Sequence, residues 1–231
     1  MKRFVLFVSV LAAVSGLAAC TPPPPPPAPP WVKVLYLYPT DRPFRADYQA
    51  AANDAVNQIQ AWYRTQLDGK SFVRASNNVA SCALPHDATY YRTESWNRVL
   101  TDVQGCAPVG GFGSEVTWVL HVDVLDECGP NRLGAAYQGL TILPQGDLQG
   151  LVGEPQVDRC GVVEHQPKSR WVGGLGHEVS HAFGVPHPPG CQEGLPTCDA
   201  NSIMWTGFVS YPNTYLSATE RSQMKASSFI R

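Results

Sequence analysis

The chain body opens on Trp31 to Tyr38, WVKVLYLY, a nearly continuous apolar run ended by Pro39. Such a run predicts a strand buried on both faces, as in a parallel sheet covered by helices. From Pro43 to Leu67 the apolar residues Phe44, Tyr48, Ala52, Ala55, Val56, Ile59, Trp62 and Tyr63 recur at helical spacing, and Asp68-Gly69 supplies the stop. The aromatic stripe of this long helix belongs to the core. Ser71 to Ala75 reads as a short second strand, Thr93 to Val103 as a helix with Trp96, Val99, Leu100 and Val103 on one face, and Gly110 to Gly113 as a flexible loop. Val116 to Leu125, VTWVLHVDVL, alternates over part of its length and reads as a third strand. Leu133 to Leu143 is a weaker strand broken by Gly134 and Gly139, and Gly146 to Lys168 is polar, turn-rich and expected on the surface as a loop. Ser169 to Phe183 is a helix, and Pro188-Pro189-Gly190 forbids its continuation. Leu216 to Glu220 holds a Ser-x-x-Glu capping box that opens a last helix carrying Met224. Strands alternating with helices imply right-handed crossovers. The fold class is therefore α/β (α+β): a twisted, mostly parallel sheet, two long helices, and an irregular C-terminal subdomain ending in a helix.

The pattern ahead of Trp31 is of another kind. Lys2 and Arg3 precede an apolar stretch, Phe4 to Val14, too short for a comfortable membrane span, and small residues follow. This is an export signal, residues 1–19. Its end, Leu17-Ala18-Ala19-Cys20, resembles a bacterial lipobox, which implies cleavage before Cys20 and lipid attachment (palmitate among the acyl groups) to that cysteine. A conventional signal peptide with an incidental Cys is the other reading. Thr21 to Pro30 contains eight prolines, so residues 20–30 form a stiff polyproline II linker reaching about 30 Å. It reads as a tether; as a ligand for a proline-recognising domain it has little support in an exported chain. The expected location is outside the cytoplasm, anchored by lipid to a bacterial cell membrane.

Residues 31–231 suffice for one core and do not require two. Seventeen basic against nineteen acidic side chains give a net charge of −2, and −4 once Lys2 and Arg3 leave with the signal, so nothing points to nucleic acid. A monomer is expected. Besides Cys20 there are six cysteines, an even number that suggests three disulfides in an exported chain. Fifteen pairings are open. Neighbour with neighbour (Cys82 with Cys106, Cys128 with Cys160, Cys191 with Cys198) is the expected set, because each pair closes a loop between predicted elements.

The chemistry lies in Gly176 to Pro188, GHEVSHAFGVPHP, which places His177, Glu178, His181, Gly184 and His187 in the pattern HExxHxxGxxH. Residues four apart on a helix share a face, so the imidazoles of His177 and His181 leave it together. Glu178, one step on, stands beside a metal held by those rings and can take a proton from water. Gly184 permits a left-handed helix stop, and the turn returns His187 as a third ligand. Three His leave one tetrahedral position of a zinc ion open, the mark of a catalytic site. Two His four apart could be an ordinary helix face; five fixed positions coincide by chance only on the order of 10⁻⁵ per chain.

This motif resembles that of the metzincin zinc endopeptidases, whose second signature is a downstream Met-turn. Asn201-Ser202-Ile203-Met204-Trp205 looks like that turn, with Met204 as an apolar floor under the imidazoles. The resemblance covers about residues 170–224; upstream it rests on element order. It implies zinc as cofactor, protein or peptide substrates, and an antiparallel edge strand before the active-site helix that binds substrate as an added strand. Gly134, Ala135 and Ala136 occupy that position. The chain after the Met-turn is expected to wall the pocket for the residue following the scissile bond, which brings in Trp205, Thr206 and Tyr211 and an apolar preference. Pro188 is serralysin-like, whereas Thr206 and the matrixin-like final helix depart from that branch, so the chain is not assigned to one.

His86, His121 and His165 match no ligand spacing. Asp123, Asp126 and Glu127 could hold Ca²⁺ or form a solvated acidic loop, and no calcium is assigned. Two functions compete: a zinc-dependent endopeptidase with Glu178 as general base, and a non-catalytic zinc-holding or protein-binding lipoprotein. Binding alone does not require Glu178, which favours the enzyme.

Overall fold

The computed structural model describes residues 30–109, 115–125, 133–157 and 163–231. The signal segment, Cys20, the prolines ahead of Pro30, the Gly110 to Gly113 loop, Asp126, Glu127, Cys128 and Cys160 lie outside the described residues.

Strand β1 (Trp31–Tyr38) is central and is joined by β2 (Ala80–Ala83), β3 (Val116–Val122), β4 (Ala135–Tyr137) and β5 (Leu140–Leu143). The sheet order is β2-β1-β3-β5-β4. The first four strands are parallel, and β4 returns antiparallel along the edge of β5. Gly134 and Gly139, which broke the predicted strand, both take positive φ (69° and 84°); Gly139 lies in the turn that makes the segment a hairpin. Val32, Val34, Tyr36 and Val119 face one apolar cluster, and Leu35, Leu37, Leu120 and Val122 face a second, so β1 and β3 are buried on both sides. That is why β1 carries an almost unbroken apolar run.

The second strand is not at Ser71 to Ala75. There Phe72 and Arg74 make only isolated bridges, to Ile230 and Val32. Phe72 packs between Tyr63 and Phe183, with ring centres at 6.0 and 5.9 Å. The sheet strand is instead Ala80–Ala83, whose residues are mostly exposed and so lack an apolar signature. A disulfide from Cys82 to Cys106 ties it to the chain beyond the next helices. Those are α2 (Ala88–Tyr91), capped by Asp87, and α3 (Ser95–Asp102), continued by a 3-10 turn at Val103–Gly105. A second disulfide joins Cys191 to Cys198.

Helix α1 (Ala46–Gln66) buries Tyr48, Ala52, Ala55, Val56, Ile59, Trp62 and Tyr63 against α4 (Gln145–Val152) and α5 (Lys168–Ala182). The Tyr63 hydroxyl lies 2.7 Å from both the Gly176 carbonyl and the Ser180 hydroxyl, which pins α1 to α5 directly beneath the motif.

The segment expected as a surface loop, Gly146 to Lys168, is a correction. It contains buried α4 and the hairpin of β6 (Gln156–Val157) and β7 (Val163–Glu164). Helix α4 buries Gln145 and Asp147 as well as Leu148 and Leu151, so it shows no apolar stripe. Gly150 lets the Trp171 indole pack directly against the α4 backbone; a Cβ there would overlap the ring. The last helix, α6 (Ala218–Ala226), starts at a complete capping box between Ser217 and Glu220. Among the described residues, no helix is long and apolar enough to cross a membrane.

Candidate metal and catalytic site

Helix α5 presents His177 and His181 from one face, and the chain then stops where the sequence supplies glycine. Gly184 takes φ 93°, and its amide and that of Val185 bond back to the carbonyls of His181 and Ser180. The reversal returns His187. One ligand atom from each of the three imidazoles lies within 4.8 Å of the others.

Hydrogen bonds set the tautomers. His177 Nδ1–H donates to the Ile203 carbonyl and His181 Nδ1–H to the Val185 carbonyl, each at 2.7 Å. Their Nε2 atoms therefore point lone pairs at each other across 3.1 Å. Two bare acceptors at that distance repel, whereas ligands of one tetrahedral zinc at about 2.0–2.1 Å stand about 3.3 Å apart. The donor set thus fits a zinc ion. Burial holds His177 down to about 3 and depresses His181 and His187 below the usual imidazole range. All three are neutral near pH 7, as ligands must be. The Gln192 amide lies 3.1 Å from His187 Nδ1, and the Trp205 ring stands edge-on to His187 with centres 5.1 Å apart.

The turn at Met204 is built around its carbonyls. Ile203 faces His177, and Met204 is fully buried in the core shared with Val179 and Leu216. The Ser202 hydroxyl contacts the buried Glu220 carboxylate of α6.

Glu178 is half-buried and lines a cavity of about 120 Å³ together with His177, Gly134, Leu143, Asp147, Arg170, Gly174 and Phe208. Of the residues expected to bind substrate, Gly134 reaches this cavity, and Ala135 and Ala136 form the edge strand beside it. Tyr211 is buried and packs on Trp62, with centres 6.1 Å apart, and the exposed Thr206 donates its hydroxyl to the Ala200 carbonyl. From that segment the cavity takes Phe208 instead. Gly173 allows this, since a Cβ there would overlap the Phe208 carbonyl. The sequence also hid Asp147, placed in a supposed loop, and Arg170, about two turns before His177.

The unassigned histidines stay apart from the site. His121 is buried in β3, and His86 stacks on Tyr90 with ring centres 4.1 Å apart. Asp123 is buried and faces the Tyr36 hydroxyl at 3.5 Å.

No protein-family model matches the chain, and no curated protein does. Among solved structures, catalytically inactive OgpA from Akkermansia muciniphila, in complex with an O-glycopeptide (glycodrosocin) substrate, aligns over 87% of this chain with TM-score 0.57 and 14% identity. The overall fold is similar to that of OgpA. The chain spans 61% of the length of OgpA. Archaemetzincin (AmzA) from Methanopyrus kandleri aligns over 84% of this chain and 93% of its own, with TM-score 0.45 and 14% identity. A zinc-dependent peptidase from Methanocorpusculum labreanum covers 83% and 99%, with TM-score 0.37 and 13% identity.

Proposed function

We propose that this chain is a zinc-dependent endopeptidase of the metzincin type acting outside the cytoplasm. The observation that carries the reading is the pair of imidazoles fixed by backbone carbonyls with their Nε2 lone pairs 3.1 Å apart, beside a cavity that Glu178 lines. His177, His181 and His187 would hold the zinc. When bound, zinc polarises the scissile carbonyl and acidifies a water beside it. Glu178 takes the proton of the attacking water and returns it to the departing amine. Strand β4, which pairs on one side only among the described residues, grips an extended substrate through its main chain, which places the scissile bond without selecting side chains.

The test separates metal holding from proton transfer. Glu178→Ala is expected to keep about one zinc per chain while casein cleavage falls by at least about 10². His181→Ala loses both. Zinc-loaded wild-type protein that cleaves neither casein nor a diverse peptide library would replace the enzyme with a zinc-holding binding protein.

The same reading places the enzyme on a membrane through Cys20, with the proline linker as spacer. Detergent fractionation and mass spectrometry of the mature N-terminus check it; an unmodified soluble chain would remove the anchor.

A further inference from the structure

The cavity beside Glu178 does not end in an apolar floor. Asp147 and Arg170 line it, and the same two residues line a second cavity of about 260 Å³ that also takes in Gln156, Glu164 and Trp171. The pair therefore stands where the two spaces meet. Arg170 has its guanidinium 4.1 Å from the centre of the Trp171 ring and 4.9 Å from that of Phe208. These two faces hold the cation in place. Its neighbour one turn along is Gly174, where a Cβ would come within 2.9 Å of Nη1, so that residue has to be small. Among the described residues no carboxylate or carbonyl accepts from this guanidinium, which leaves its donors for something else.

Asp147 is its counterpart. The residue is 7% exposed, and among the described residues no other residue donates to its carboxyl. Burial pushes it up, to about 6, against the opposing charge of Arg170, which does not touch it. A fixed donor array and a buried acceptor thus face a gap that the protein does not fill.

What fills the gap follows from the cost of the alternatives. An alkyl side chain would leave the buried Asp147 and the half-buried Arg170 without partners, at about 1–3 kcal/mol or more for the buried group. A carboxylate would satisfy Arg170 and confront Asp147, and an ammonium would do the reverse. A hydroxyl both donates and accepts, so neighbouring hydroxyls can bond the two at once. We infer that the residue following the scissile bond enters this cavity carrying hydroxyl groups, with Arg170 and Asp147 as the specificity-determining pair. The source is a Ser or Thr side chain itself, or a sugar linked through its oxygen that passes the pair into the larger cavity. This replaces the apolar preference expected from Trp205 to Tyr211, and it rests on the peptidase reading of the same site.

The experiment uses one peptide with five residues at that position: Leu, Glu, Gln, Thr, and Thr carrying N-acetylgalactosamine. Zinc-loaded wild-type protein is expected to cleave one or both hydroxyl-bearing peptides at least about 10-fold faster than the other three. A sugar that must reach the larger cavity makes the glycosylated peptide the faster of the two, whereas equal or slower cleavage assigns the preference to the bare hydroxyl. Asp147→Asn and Arg170→Lys, each confirmed as folded by circular dichroism, should bring the rate ratio over Leu toward one. Binding of the same five peptides to zinc-loaded Glu178→Ala, read by calorimetry, tests the pair even if no peptide is cut. Preferential binding of hydroxyl-bearing peptides without turnover would overturn the peptidase reading and keep this one. A preference for Leu, Glu or Gln, equal affinity for all five, or an unchanged ratio in both variants would overturn the pair's role.

Discussion

The Ser202 hydroxyl lies 2.8 and 2.7 Å from the two carboxylate oxygens of Glu220 and accepts the Met204 amide at 3.0 Å. Glu220 also receives the Ser217 amide at 2.6 Å as part of the capping box of α6. One buried carboxylate thereby joins the start of the last helix to the turn whose Ile203 carbonyl orients His177. Helix cap, turn and metal ligand form a single chain of hydrogen bonds.

Ser202→Ala should therefore act at two distances. Losing the bond to the buried carboxylate costs about 1.5–3 kcal/mol of stability in urea denaturation. Zinc affinity should fall about 10-fold as well, because His177 loses its fixed orientation. A metal-competition titration reads the second effect separately; unchanged affinity in a destabilised protein would show that the turn holds its shape without Ser202.

Much of this was legible in the residues. His177, Glu178, His181, Gly184 and His187 could be read as a site because their spacing is dictated by helix geometry and by one left-handed turn. The capping box at Ser217 was legible for the same reason: its partners are local. Asp147 and Arg170 were not, because neither has a spacing that marks it. They meet only after α4 packs on α5, and α4 was hidden by the inward-facing Gln145 and Asp147, which blur its apolar period. Strand β2 escaped because an edge strand needs no apolar face, while Phe72, which looked like strand, spends its side chain on Tyr63 and Phe183.

Glycines in and after α5 should differ sharply in what they tolerate. At Gly173 a Cβ would overlap the Phe208 backbone, so Gly173→Ala must push the cavity wall away from the helix, at about 1–3 kcal/mol or more. At Gly184 a Cβ meets nothing within 4 Å, but φ is +93°. Gly184→Ala should cost about 1–2 kcal/mol through backbone strain alone. Melting temperatures of the zinc-loaded variants, with peptide cleavage beside them, separate the two causes. A Gly173→Ala protein with wild-type stability and cleavage would mean that Phe208 is free to move.

His121 predicts an acid sensitivity independent of the metal. The residue sits in β3 with no exposed surface, and neither ring nitrogen has a hydrogen-bond partner among the described residues. Burial lowers it to about 4 from an ordinary 6.5. Above pH 6.5 the ring is neutral folded or unfolded, and its titration contributes nothing. Below 6.5 the unfolded chain takes up a proton that the folded chain refuses, so stability falls with pH until the folded ring also protonates near 4. The loss amounts to about 3 kcal/mol over that window. Asp147 works in the opposite direction: it is raised to about 6, so folded protein gains stability as pH drops from 6 toward the ordinary carboxylate value. The zinc ligands add acid sensitivity of their own, which is why the wild-type profile alone cannot isolate His121. The informative quantity is the difference between wild type and His121→Leu in urea midpoints at pH 7.5 and 5. Leucine removes both the titration and the two orphaned nitrogens, so the variant should lose about 2 kcal/mol less than wild type between those pH values. Parallel profiles would show that His121 finds a partner when protonated, and would place the acid sensitivity at the three ligand imidazoles instead.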